Sequence, residues 1–155
     1  MITHLNNKNK PTIVDINKKR LTNRVAIAQG IIEFSYEAFK KIEMMQTKKG
    51  EITSVAIIAG IMGAKKTSDL IPLCHNIGIE NIDIIINTNI RKNSLVVESR
   101  IKTSGKTGVE MEALMSVSIA CLTVYDMCKS IDKSIIIKEI KLLSKKGGKN
   151  NYKIK

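Results

Sequence analysis

The sequence has no tryptophan, two phenylalanines and three tyrosines, so aromatic residues make up 3% of its 155 positions. Single-stranded nucleic acid is usually held by stacking bases on such rings beside a basic groove, and this chain has few rings to offer. Histidine is as scarce, with His4 and His75 alone, and no metal-ligand spacing surrounds either. The three cysteines, Cys74, Cys121 and Cys128, form no Cys-x-x-Cys pair. An odd count and no apolar leader in Met1–Lys10 predict a reducing, cytoplasmic setting. Cys121 and Cys128 share one face of a helical stretch and are expected to pack as small hydrophobes. The longest uncharged runs, Ile52–Ala64 and Ala113–Tyr125, are 13 residues each, against about 20 for a membrane-spanning helix. No membrane partner is expected.

Acid is the other deficit: 14 Asp and Glu face 26 Lys and Arg, a formal net charge of +12. Such a surplus suits an anionic partner, whether nucleic acid, a membrane surface or a phosphorylated small molecule. Of the 26 cations 22 are lysine, and a composition drifting towards Lys, Ile and Asn gains charge without gaining a partner. The placement of individual lysines therefore says more than their sum.

What is present reads as one domain. Residues 1–11 are expected to be disordered, 12–149 to form the globular unit, and 150–155 to be a polar tail. Thr12–Ile16 and Val25–Ile32 read as short strands or extended segments. Ser35 is a plausible cap for a helix to about Thr47 that turns Phe39, Ile42 and Met45 inward and stops at Lys48-Lys49-Gly50. Ile52–Lys66 reads as a second helix, with Ala56, Gly60 and Ala64 on one face for close packing inside one subunit or between subunits. Ile82, Ile84 and Ile86 alternate as in a strand, and Leu95–Lys102 returns after a polar break as its hairpin partner. Thr107–Ser130 is a long apolar-striped helix and Ser134–Leu143 a final strand. The class is α+β, with helices on one face of an antiparallel sheet.

Three segments concentrate polar groups where a plain core would not want them. Ala64–His75 ends a helix in lysines and delivers His75 beside Cys74; alone, such a histidine is more often structural than catalytic. Ser104–Glu112 contains Gly105-Lys106-Thr107, but Arg100 stands where a phosphate-loop pattern needs glycine. Glycines, a lysine and free amides at a helix start nevertheless favour an anion, while Glu110 and Glu112 complement the helix dipole or do more. Asp126 and Lys129 are i, i+3 neighbours, an ordinary surface pair on spacing alone. Glu112 and Asp126 lie 14 residues apart, near one face of the helix but about 21 Å apart along it. One small substrate meets both only if it is long, or if sites are shared between chains.

Taken together, Lys49-Gly50-Glu51, Ile58–Ile61, Ala64–His75, Lys106–Leu114 and Leu122–Lys129 resemble the cyclic pyranopterin monophosphate synthase family, the C protein of bacterial molybdenum-cofactor biosynthesis. The likeness runs over roughly residues 12–149 in order and spacing. It departs at Ile57, where the family usually has Arg, and at Asn76, where it has Pro. The resemblance implies a ferredoxin-like subunit, a homohexamer built as a trimer of dimers, and active sites at the dimer interface. It implies a lyase that converts a cyclised dihydroguanosine triphosphate to cyclic pyranopterin monophosphate with loss of pyrophosphate. By the family pattern, Leu73, Cys74, His75, Met111 and Glu112 are substrate-binding positions and Asp126 is catalytic; Lys49, Lys65, Glu110, Lys129 and Lys145 are further pocket positions. Asp126 beside Lys129, with Lys49, is the expected acid–base group. No redox cofactor is expected, and Mg²⁺ is expected only as a companion of the triphosphate. The rival readings are a basic RNA-binding module, which the missing rings, the acidic Glu110/Glu112 pair and an Asp126 expected to be buried disfavour, and a scaffold that binds without turnover.

Overall fold

Alternation of buried and part-covered residues builds the central strand. Val25–Ile32 lies within β1 (Thr22–Glu33), in which Ala26, Ala28, Gly30 and Ile32 are buried on one face. The computed structural model describes residues 4–6, 8–46 and 51–154. After β1 come α1 (Tyr36–Gln46), α2 (Glu51–Lys65), the single turn α3 (Thr67–Leu70), β2 (Asn81–Asn89), β3 (Ser94–Gly105), α4 (Glu110–Cys128), β4 (Ile136–Lys146) and β5 (Tyr152–Lys153). The sheet order is β2-β3-β1-β4-β5, every pair antiparallel. This is the β-α-β-β-α-β arrangement of ferredoxin-like folds, with a short fifth strand added at one edge.

α4 lies across β1, β3 and β4, and α2 packs on α4 and β2, so both helices cover one face. Small residues make that closeness feasible. A Cβ added at Gly60 would fall 2.8 Å from Ile84 Cδ1 and 3.0 Å from the Ser116 carbonyl oxygen; one at Gly63 would fall 2.7 Å from Ile119 Cγ1. The Ala56-Gly60-Ala64 stripe is thus spent on packing within the chain. α4 is 19 residues long and apolar enough in composition to cross a membrane. Its buried Ala113, Val117, Ala120, Cys121 and Val124 pack in the sheet–helix core, which accounts for that composition.

α1 begins as expected: the Ala38 amide donates to Ser35 Oγ at 3.3 Å, and the Ser35 amide donates to the Asp132 carboxylate at 3.1 Å. Phe39 and Ile42 are buried. The Met45 side chain and the expected stop at Lys48-Lys49-Gly50 lie outside the described residues.

Two local results differ from expectation. Thr12–Ile16, read as a short strand or extended segment, pairs with none of the five strands. The end of the chain is polar and exposed but not loose: Tyr152 and Lys153 pair with Lys145 and Ser144, and the Ile154 amide donates to the Leu143 carbonyl at 2.8 Å. Between β1 and β4 the register slips twice, each slip giving β4 one extra residue. The slip between Ile27 and Ala28 lets Leu142, opposite Ala28, and Lys145, opposite Ala26, both face the helices despite their odd spacing.

Candidate active site

The site is built at the junction from β3 to α4. Gly105 ends the strand, Lys106–Val109 turn the chain, and α4 opens with Glu110 and Glu112 in its first turn. Val109 precedes the helix without a side-chain cap, and the helix start carries a partial positive charge. Two hollows meet here, and Thr107, Gly108 and Glu110 line both.

The first hollow, about 330 Å³, is basic: Lys19, Arg24, Lys106, Lys145 and Lys149 contribute to its wall. Lys145 Nζ meets Glu110 Oε1 at 3.0 Å, tying β4 to the start of α4. Arg24 Nε donates to the Gly105 carbonyl at 3.2 Å, which fixes the guanidinium beside the turn. Lys106 Nζ donates to the Asn17 carbonyl at 3.0 Å. Crowded cations at an uncapped helix start give this hollow a positive potential suited to an anion.

The second hollow, about 130 Å³, is lined by His4, Leu73, Cys74, His75, Met111 and Glu112 among others. α2 ends at Lys65, and Thr67 Oγ1 turns the chain into α3 by donating to the Ala64 carbonyl at 2.9 Å. The Leu73–His75 stretch that follows is thereby delivered against the first turn of α4. His75 Nε2 lies 2.7 Å from the Val14 carbonyl; a carbonyl can only accept, so Nε2 carries a hydrogen and donates it. Glu112 is 4% exposed and has no ion-pair partner among the described residues. Burial above all, aided by the neighbouring Glu110 charge against an opposing backbone hydrogen bond, raises its pKa above the ordinary carboxylate value. Burial, then Glu112, likewise raises Cys74.

Leu73, Cys74, His75, Glu110, Met111, Glu112 and Lys145, distant in sequence, therefore share one continuous cleft. Other expected residues stand elsewhere. Lys65 lines a separate hollow with Ile61, Ile79, Glu80 and Asn81. Contrary to expectation Asp126 is not buried: it forms a 2.6 Å ion pair with Lys129 at the far end of α4, the two side chains 70% and 58% exposed, because it stands on the face of this last turn opposite the buried Val124 and Cys128. The hydrogen bond to Asp126, and then its charge, raise the Lys129 pKa. Lys49 lies outside the described residues. Lys19, Arg24 and His4 were missed as cleft residues; the basic run Lys18-Lys19-Arg20 was the available signal for the first, and nothing local marked the others.

A ferredoxin-like α+β subunit with a basic cleft beside a buried carboxylate defines a class: enzymes of small, highly charged anions. The MoaC family model matches residues 13–148. A cyclic pyranopterin monophosphate synthase of Helicobacter hepaticus is 51% identical over 149 residues, 96% of this chain and 94% of that protein. One from Helicobacter pylori is 52% identical over 150 residues, covering 97% and 95%, and one from Heliobacterium modesticaldum is 44% identical over 154 residues, covering 99% and 97%. The chain belongs to the MoaC family.

Proposed function

We infer that this chain is a cyclic pyranopterin monophosphate synthase, a lyase of molybdenum-cofactor biosynthesis. It converts (8S)-3′,8-cyclo-7,8-dihydroguanosine 5′-triphosphate to cyclic pyranopterin monophosphate and releases pyrophosphate. The supporting observation is the joined pair of hollows around Thr107–Glu112, one rich in lysine and the other carrying a buried carboxylate. A substrate of about four negative charges has its phosphates matched by cations and its base edge by a carboxylate.

Lys106, Lys145 and Lys149, with the Thr107–Val109 amides, hold the triphosphate and stabilise departing pyrophosphate. Glu112 accepts the N–H edge of the base, with Leu73, Cys74, His75 and Met111 around it. Asp126 and Lys129, joined by Lys49 of another chain, serve the proton transfers of ring opening and closure, and Lys65 is a further phosphate-binding lysine. No redox group is needed because the rearrangement moves no net electrons, and Mg²⁺ rides on the triphosphate. A nucleotide-derived substrate supplied by an earlier enzyme goes with a cytoplasmic location.

The site is shared between copies, in a homohexamer of three dimers. Two features support this: about 21 Å of rigid helix separate Glu112 from Asp126, and an exposed apolar face of Val55, Ile58, Met62 and Leu122 has the character of a surface another copy covers. The direct test is to incubate purified protein with the cyclised nucleotide. Pyrophosphate and pyranopterin in equal amounts are expected; binding without either product would leave a scaffold instead. For the shared site, inactive Glu112→Gln and Asp126→Asn chains are unfolded, mixed and refolded. Half the pairs are then mixed, each with one intact site, so about a quarter of wild-type turnover should return. No recovery would place the whole site in one chain.

A further inference from the structure

The chain has two histidines, 71 positions apart, and the fold brings both to the same cleft. His4 and His75 together line the Glu112 hollow and a neighbouring one of about 200 Å³ with Val14, Ile16, Lys19 and Thr107. His4 also borders a third, apolar hollow with Pro11, Pro72, Leu73 and Met111.

His4 is held there rather than trailing past. The Thr12 amide donates to the His4 carbonyl at 3.0 Å, and Leu5 bridges to Pro11. Asn6 Oδ1 accepts from the amides of Lys8 and Lys10 at 2.9 and 3.0 Å. These bonds double the segment back onto the body of the protein. Once there, His4 Nδ1 is shut off from solvent and finds no hydrogen-bond partner among the described residues. The other such atoms among the described residues are the hydroxyls of Ser94, Ser99 and Ser116, all in residues buried in the sheet–helix interior. Only His4 stands at a cleft. Buried polar atoms in native proteins nearly always find a partner, so an unpaired ring nitrogen at the wall of a substrate cleft is suited to a bond made with the ligand. Among the described residues no group of three His, Cys, Asp or Glu side chains is placed to hold a metal ion.

We propose that His4 is a substrate-contacting residue whose ring, through Nδ1, hydrogen-bonds the base-and-sugar end of the cyclised nucleotide opposite His75. The assignment to that end follows from charge. The phosphates belong with Lys106, Lys145 and Lys149 in the basic hollow, whereas the hollow shared by His4 and His75 carries Glu110, Glu112 and Cys74. The proposal rests on the synthase reading, and its test separates the two.

Three full-length variants are compared with wild type in pyrophosphate release: His4→Ala, His4→Phe, which keeps a ring without nitrogen, and His4→Asn, which places its amide near the position of Nδ1. A hydrogen bond to a charged or strongly polar ligand group predicts KM raised about tenfold or more in His4→Ala and His4→Phe, with kcat less affected. His4→Asn should recover most of the affinity. Because there are only two imidazoles, proton NMR of wild type gives two ring C2–H signals, assigned by His4→Asn, and both should move on adding substrate. The NMR readout stands even if His4→Ala fails to fold. Wild-type turnover with a His4→Phe KM equal to wild type, or a His4 signal that stays while that of His75 moves, overturns the proposal and leaves the synthase reading intact. Wild type that neither binds the nucleotide nor releases pyrophosphate overturns both.

Discussion

Gly147 follows the last residue of β4, two positions after Lys145 and two before Lys149, and its backbone has φ +88°. A Cβ added there would fall 2.9 Å from the Asn23 carbonyl carbon, still closer to its oxygen, and 3.4 Å from Arg24 Cα. The obstacle is the backbone of β1 at Asn23 and Arg24, which β3 holds by pairing with Ser104 and Thr103. Gly147→Ala therefore meets two penalties: about 1 kcal/mol for a left-handed conformation, and about 1–3 kcal/mol for overpacking against atoms that do not yield. If the loop holds its place, stability falls by about 2–4 kcal/mol, or roughly 5–15 °C in Tm for a chain of this size. If the loop swings away, it loses the 2.8 Å bond from Thr22 Oγ1 to the Gly147 carbonyl and the 3.1 Å bond from the Gly147 amide to Asn151 Oδ1. Lys149 then leaves the basic hollow, and kcat/KM falls instead. Calorimetry and pyrophosphate release on the same preparation separate the two responses. Gly78→Ala is the control, because nothing lies within 4 Å of its added Cβ. A Gly147→Ala protein matching Gly78→Ala in both Tm and turnover would refute the packing described for this loop.

Two further outcomes follow from buried ionisable groups. Glu112 has a raised pKa, so its contribution to stability is present below the unfolded carboxylate value and lost as pH rises through the folded one. At neutral pH its buried charge opposes folding, and Glu112→Gln should raise Tm while abolishing turnover, a stability gain at the site of function; a lower Tm would show the carboxylate to be stabilised by a partner. Burial pushes the Cys121 thiol up to about 12 and that of Cys128 up to about 11. The unfolded chain releases these protons near pH 9 while the fold retains them, so stability should fall as pH rises from about 9 towards 11. Urea midpoints at pH 8, 9 and 10 should decline more steeply for wild type than for Cys121→Ala; equal slopes would mean that the thiol ionises freely in the folded protein.

Elements set by local pattern were legible. The alternation of Ile82, Ile84 and Ile86, the small-residue stripe of α2 and the Ser35 cap each act within a few residues, and each appears where expected. What pattern could not show was pairing at a distance. β5 exists because Tyr152 and Lys153 find Lys145 and Ser144, whereas Thr12–Ile16 pairs with none of the five strands. The same limit governed the cleft. The resemblance singled out Cys74, His75, Glu110, Glu112 and Lys145, but Lys19 and Arg24 enter it through the course of the chain before and within β1, and His4 through a terminal turn closed by backbone bonds. Whether Ala56, Gly60 and Ala64 faced inward or towards a neighbour was undecidable from spacing; the Ile84 and Ser116 contacts around Gly60 decide it.

α4 explains why so much of the candidate chemistry stands idle within one chain. It is a straight rod of 19 residues, pinned along its length by Ala113, Val117, Ala120, Cys121 and Val124, so its ends cannot approach one another. Its first turn supplies the buried Glu112, whose burial is costly unless a ligand donates to it. Its last turn supplies Asp126 and Lys129, whose exposed pair contributes little in water. Each end is thus poor as a structural device and improves in the same circumstance, when an N–H-bearing anion or a covering surface removes water. In the shared site inferred above, the partner copy brings the second end to the first, so that the buried carboxylate and the proton-handling pair enclose one nucleotide. The same rod that keeps the two half-sites apart in each chain then fixes their spacing in the assembly, and orientation that one flexible chain would have to buy with lost entropy is built into the packing of α4 on the sheet.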